Sequence, residues 1–196
     1  MPSAYILQRA PTKWDHWGDY AQILIHGMTA HLGRQDGLLR LERVGPFVPR
    51  ITFPGVADIV LTVAFKCELD STVPGLEFRP VIAARMVRLN WTSWDAGLRE
   101  PPVYPETGEP EDYVLARPHD PSLAEEMGDF WELVPAIVPG IQGSNGTLRA
   151  AAYGGQHLAR AHAMLGYNFV SPELASALES AAPECIFCKE PSLAND

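Results

Sequence analysis

Apolar and polar residues change period several times along the chain, and each change marks an element. SAYILQ (3–8) is a run of β-formers stopped by Pro11 and predicts a first strand. WDHWGDYAQILIHGMTA (14–30) centres an apolar run on Ile23 to Ile25, which fits a strand or a short helix. GLLRLERVGPFVPRITF (37–53) predicts extended structure broken at Gly45 and Pro46. Asp58 is a candidate N-cap, and Ile59, Val63 and Cys67, with Val60 beside them, recur at helical spacing. Pro74 and Gly75 end that helix. From Leu76 to Trp91 the apolar positions predict a long strand, bulged near Pro80.

Residues 92–122 hold eight prolines and glycines and almost no period, so a long surface loop is expected. Ser122 and Glu125 fit a capping box that would open a short helix, with Gly128 interrupting it and WELV turning to strand. GIQGSNGTLRA (140–150) carries Asn145-Gly146, a tight-turn pair, without the glycine spacing of a phosphate cradle. AAYGGQHLARAHAML fits part glycine turn and part helix. Near the end, Ser171 caps a helix with Pro172 at its first position, and Leu174, Ala177, Leu178 and Ala181 form its apolar stripe. Pro183 stops it, and CIF begins a strand. Residues 58–80 and 171–191 share an order of capped helix, Pro-containing turn and short β stretch, a weak internal repeat. The expected architecture is a single α+β domain over 1–196, short helices packed on a mostly antiparallel sheet.

Charge sharpens the picture of the loop. The net charge of −9 lies entirely between Asp95 and Glu132, where eleven acids face only Arg99 and Arg117. Within PETGEPEDYVLARPHD (105–120), Glu106, Glu109, Glu111 and Asp112 surround Tyr113. Such a surface repels phosphates, so nucleic acid is excluded as a partner. A cationic protein fits it better, and plain solvation of the loop is the bland alternative. No apolar run approaches the length of a membrane helix, and the N-terminal residues do not resemble a signal peptide, so a cytoplasmic protein is expected.

The candidate chemistry is thin. Cys185-x-x-Cys188 has zinc-ligand spacing, with His157 and His162 upstream, but lacks a second cysteine pair. The same pair sits on an expected strand, without the helix N-terminus that activates redox thiols. Six histidines and many acids supply material for a hydrolase, yet no G-x-S-x-G or H-E-x-x-H is present. A rival enzyme or small-ligand reading places His119, Asp120 and Asp129 at a pocket. No catalytic residue, metal or cofactor is assigned. Aromatic side chains flanking the acids point instead to recognition, with Trp94, Tyr104 and Tyr113 as apolar anchors among Glu106, Glu109, Glu111, Asp112 and Asp120. Tyr104, Asp112 and Tyr113 are expected to be exposed, Trp91 and Trp131 to be core. A homodimer, the loop of one copy against Arg85 and Arg88 of another, is a further reading.

PGLEFRPVIAARMVRLNWTSWD (74–95) and YPETGEPEDYVLARPHDPSLAEEMGDFWEL (104–133) resemble bacterial proteins encoded beside toxins. FVSPELASALESAAPECIFCKEP (169–191) resembles the closing segment of immunity protein family 11 and of the double-CxxCG immunity group. The latter group has two CxxC motifs, each followed by glycine; this chain has one, followed by Lys189. The resemblance covers about half of the chain. It implies a cognate immunity protein that binds and occludes a toxin rather than performing chemistry.

Overall fold

Two strand–helix–strand units, each crossing over a strand from elsewhere in the chain, organise the molecule. The computed structural model describes residues 4–143, 147–163 and 166–193. In chain order its strands and α-helices are β1 (Tyr5–Arg9), α1 (Asp19–His26), β2 (Arg34–Gln35), β3 (Leu38–Gly45), β4 (Ile51–Thr52), β5 (Val60–Thr62), α2 (Val63–Thr72), β6 (Glu77–Arg88), α3 (Asp112–Leu115), α4 (Pro121–Met127), β7 (Phe130–Val134), β8 (Ala136–Ile137), β9 (Leu158–Arg160), β10 (Asn168–Val170), α5 (Pro172–Ala181) and β11 (Ile186–Lys189). They form one α+β domain with two mostly antiparallel sheets, ordered β11-β1-β10-β9-β8 and β2-β3-β6-β7-β5-β4. Parallel pairing occurs at β3/β6 and β8/β9.

The first unit is β5-α2-β6. Both of its strands run antiparallel to β7, which lies between them, so α2 crosses over β7. The second unit is β10-α5-β11, and β1 occupies the corresponding middle place. The helix starts match closely. Thr62 and Ser171 are both extended, at φ −69° ψ 155° and φ −66° ψ 159°, and each side-chain oxygen accepts the amide hydrogen of the residue three positions on. That bond satisfies one of the backbone donors a helix start leaves unpaired. Phe65, Leu69 and Val73 of the first unit share one core with Leu174, Leu178 and Ala182 of the second. Burying each of the phenylalanine, leucine and valine side chains contributes about 1.5–3 kcal/mol.

Three local expectations need correction. Asp58 does not cap a helix; residues 60–62 pair with β7, and the helix waits for Thr62. Apolar residues at helical spacing here belong to a buried strand followed by a helix, a mixture periodicity cannot separate. Ser122 yields to Asp120, whose Oδ1 accepts the Leu123 amide at 2.9 Å, while Pro121 occupies the first turn of α4. Pro80 causes no bulge, since its pairing with Trp131 is in regular register. The irregularity lies instead between β3 and β6, where Leu41 and Glu42 face Ala83 and Arg85 and leave Ala84 extra.

The 14–30 segment resolves into a short 3-10 turn, Asp15–Trp17, followed by α1. The ambiguous stretch after Ala150 supplies β9. The Asn145-Gly146 turn lies outside the described residues. Among the described residues, no helix is long and apolar enough to cross a membrane.

Candidate functional site

The acidic segment is a scaffolded surface rather than a free loop. A 3-10 turn at Trp91–Ser93 leads into it, and α3 and α4 interrupt it. Trp17, Leu24, Val44, Val87 and Trp91 share a core cluster with Tyr113 and Val114 of α3. Five aromatic rings hold the segment against α1. Tyr20 stands edge-on to Tyr104 and Tyr113 at 5.0 and 6.0 Å, and Trp94 lies 6.3 Å from Trp17 and 6.1 Å from Tyr113. Side-chain donors fix its backbone, among them Trp17 Nε1 to Leu98 O at 3.0 Å, Tyr113 Oη to Val103 O at 2.6 Å, and Tyr20 Oη to Gly108 O.

Tyr113 is therefore buried, not exposed as the sequence suggested, and burial, with Tyr104 nearby, pushes its phenol pKa upward. Its place on the inner side of the short helix α3 explains the difference. Asp112 is half-buried and accepts the Thr107 hydroxyl at 2.6 Å. Asp120 caps α4 and lies 3.4 Å from Arg88; the Leu123 amide, then Arg88, hold its carboxyl below the usual range. Trp94 is half-buried, whereas Tyr104 is exposed beside Val103. Glu106, Glu109 and Glu111 are exposed, and among the described residues none of the three forms an ion pair.

The residues of the rival readings have structural duties. His119 Nδ1 accepts the Met86 amide at 3.0 Å, and the Asp129 carbonyl accepts from Val63. Arg85 donates to Leu115 O, and Arg88 pairs with Glu126 at 2.8 Å as well as with Asp120. Cys185 and Cys188 carry free thiols, raised to about 11 and about 12 by burial first, with Glu184 and Glu179 adding to it. His157 lies 3.0 Å from the Ser171 hydroxyl. Among the described residues no three His, Cys, Asp or Glu side chains gather as a metal site.

Two features were missed from the sequence. One is a partly buried polar network linking the sheets. Arg34 donates twice to Glu132 and lies 3.7 Å from Asp58, which accepts the Thr29 hydroxyl at 2.6 Å. Arg160, buried, donates to Asn168 Oδ1 at 2.9 Å and to the carbonyls of Ala57 and Ala163. Nearby, buried Glu42 meets His31 Nδ1 at 3.0 Å and Arg85 Nε at 3.8 Å. The available signal was a charge inside each apolar strand, as in LERV, WELV and LAR.

The other is a cleft of about 840 Å³ framed by residues 10–14, 47–51 and 183–187, with Ile25, His26 and Trp91 also in its lining. Trp14 and Phe47 stand edge-on to Trp91 at 4.8 and 5.6 Å. His26 is held neutral, its pKa lowered to about 3 by burial, then by Arg9 and Arg43, against a smaller opposite pull from Asp15. No local motif could have revealed this cleft, because its three segments are scattered over the chain. Comparison of the chain with protein-family models, curated proteins and solved structures finds no match.

Proposed function

We propose that this protein is a binding protein without catalysis of its own, a cognate immunity protein that neutralises a bacterial toxin by occluding it in the cytoplasm. One observation carries this reading: Glu106, Glu109 and Glu111, without cationic partners among the described residues, project from a segment immobilised by five aromatic rings. A preorganised acidic surface loses little ordering entropy on binding and steers a basic partner toward it. Tyr104 and Val103 supply exposed apolar contact beside the acids. The resemblance of 74–95, 104–133 and 169–191 to immunity proteins supports the same reading. Tyr113 acts here as the internal support of the surface, and Asp112, Asp120 and Trp94 flank it.

The test is co-purification with the product of the adjoining gene, followed by titration calorimetry of the pair. A stoichiometric complex that suppresses the partner's toxicity is expected. Absence of a complex with a neighbouring toxic protein overturns the proposal.

A further inference from the structure

We propose that the cleft beside Trp14 and Trp91 is a binding site for an apolar monocarboxylate, a small molecule with a hydrocarbon body and one anionic head. Its volume of about 840 Å³ lies in the range of small-molecule sites, which run to roughly 300–1,000 Å³. The walls come from Trp14, Phe47, Ile51, Trp91, Ile186 and Phe187. Phe47 and Phe187 remain 44% and 39% exposed, so a hydrocarbon body seated between the framing segments would cover rings that now meet water.

Charge selects the head group. The protein as a whole carries −9, yet the lining holds Lys13 and Arg50 against one acid, Glu184. Arg50 is already engaged by Glu68 and by the Ala181 carbonyl. Lys13 forms no ion pair among the described residues, and its ammonium lies 4.2 Å from the centre of the Trp14 ring. It is placed at the cleft and available to a carboxylate. His26 Nδ1 accepts the Phe53 amide at 3.4 Å, which leaves the proton on Nε2 and makes this lining residue a neutral donor. Arg9 and Arg43 add positive potential around it, more than Asp15 offsets. An alcohol would gain nothing from this field, and a cationic amphiphile would be repelled by it.

The inference is independent of the toxin-binding reading and is tested on the isolated protein. Decanoate, decan-1-ol and decyltrimethylammonium are titrated below their micelle concentrations, with tryptophan fluorescence and calorimetry as readouts. Saturable one-to-one binding of decanoate, tighter than that of the other two, is expected. Lys13→Glu, on an exposed side chain, should weaken decanoate about tenfold and leave decanol unchanged. Phe47→Ala with Phe187→Ala should weaken both. No saturable binding, equal affinity for the three head groups, or an unaltered Lys13→Glu variant overturns the proposal.

Discussion

Arg34 and Glu132, 98 positions apart, meet through two hydrogen bonds, Nη1 to Oε2 at 2.9 Å and Nη2 to Oε1 at 2.6 Å. The Glu132 side chain is 5% exposed and the Arg34 side chain 37%, so the pair straddles the protein boundary. Losing the arginine strands a buried carboxylate, a strongly unfavourable arrangement, though solvent around Arg34 screens part of the effect. Arg34→Ala is expected to lower stability by about 2 kcal/mol in urea denaturation. Adding Glu132→Gln should restore part of that loss, because no unpaired charge then remains. A double variant no more stable than the single would show that the pair does not act as a unit.

His26 makes stability depend on acid. Its pKa is about 3 in the fold, against an ordinary 6.5 in the unfolded chain, so between these values the unfolded state binds the extra proton. The contribution is complete above pH 6.5 and is lost as pH falls toward 3, at up to about 1.4 kcal/mol per unit. His26→Gln should flatten the pH dependence of Tm between 6.5 and 4 relative to the parent. An identical slope in the two proteins would remove His26 as its source.

Equivalent caps should respond equally. Thr62→Ala and Ser171→Ala each remove an oxygen that accepts a first-turn amide, and each is expected to cost about 1 kcal/mol. Chemical denaturation of the two variants and their combination measures both the size and the additivity of the losses. Because α2 and α5 share a core, a combined loss larger than the sum would reveal coupling between the units.

Among the described glycines, Gly27 combines a positive φ with the tightest backbone surroundings. Its φ of +74° is left-handed, and a Cβ there would lie 2.6 Å from both Arg43 Cβ and the Glu42 carbonyl oxygen. Gly27→Ala is expected to lower stability by about 2 kcal/mol or more. Gly18→Ala, at φ +61° with open space around it, should be milder, so the difference in Tm isolates the clash.

Reversal of Glu106, Glu109 and Glu111 to Lys should leave Tm almost unchanged, since none of these carboxylates is paired within the described chain. Association with a basic partner should slow by about tenfold or more at low salt and recover toward the parent as salt rises. Stopped-flow measurement of the association rate checks this, and an unchanged rate at low salt would rule out electrostatic steering by this surface.

Legibility in the sequence followed the range of the forces involved. Ser171 and Pro172 announced α5 because capping is a contact within one turn. Asp58 misled because a buried strand, Val60–Thr62, presents apolar residues as densely as a helix would. The acids from Asp95 to Glu132 were visible as a charge block, and Glu106, Glu109 and Glu111 are among its exposed members that form no ion pair in the described residues. The burial of Tyr113 was not visible, because it depends on Trp17 of the 3-10 turn and Tyr20 of α1, both more than 90 residues earlier. The Arg34–Glu132 pair and the cleft were hidden for the same reason. Each is made by segments that meet only after the sheets are assembled.

The place of β1 between β10 and β11 sets an order of events during synthesis. The strand is made well before its pairing partners, around Phe169 and Phe187, which lie roughly 160–180 residues further along the chain. Until then its backbone donors and acceptors face water or any chaperone at hand. The β5-α2-β6 unit closes sooner, on β7, and can template the apolar layer that α5 later joins. Once Val134 has cleared the ribosome, the chain therefore has every strand of one sheet available, while the other still waits for its remaining strands.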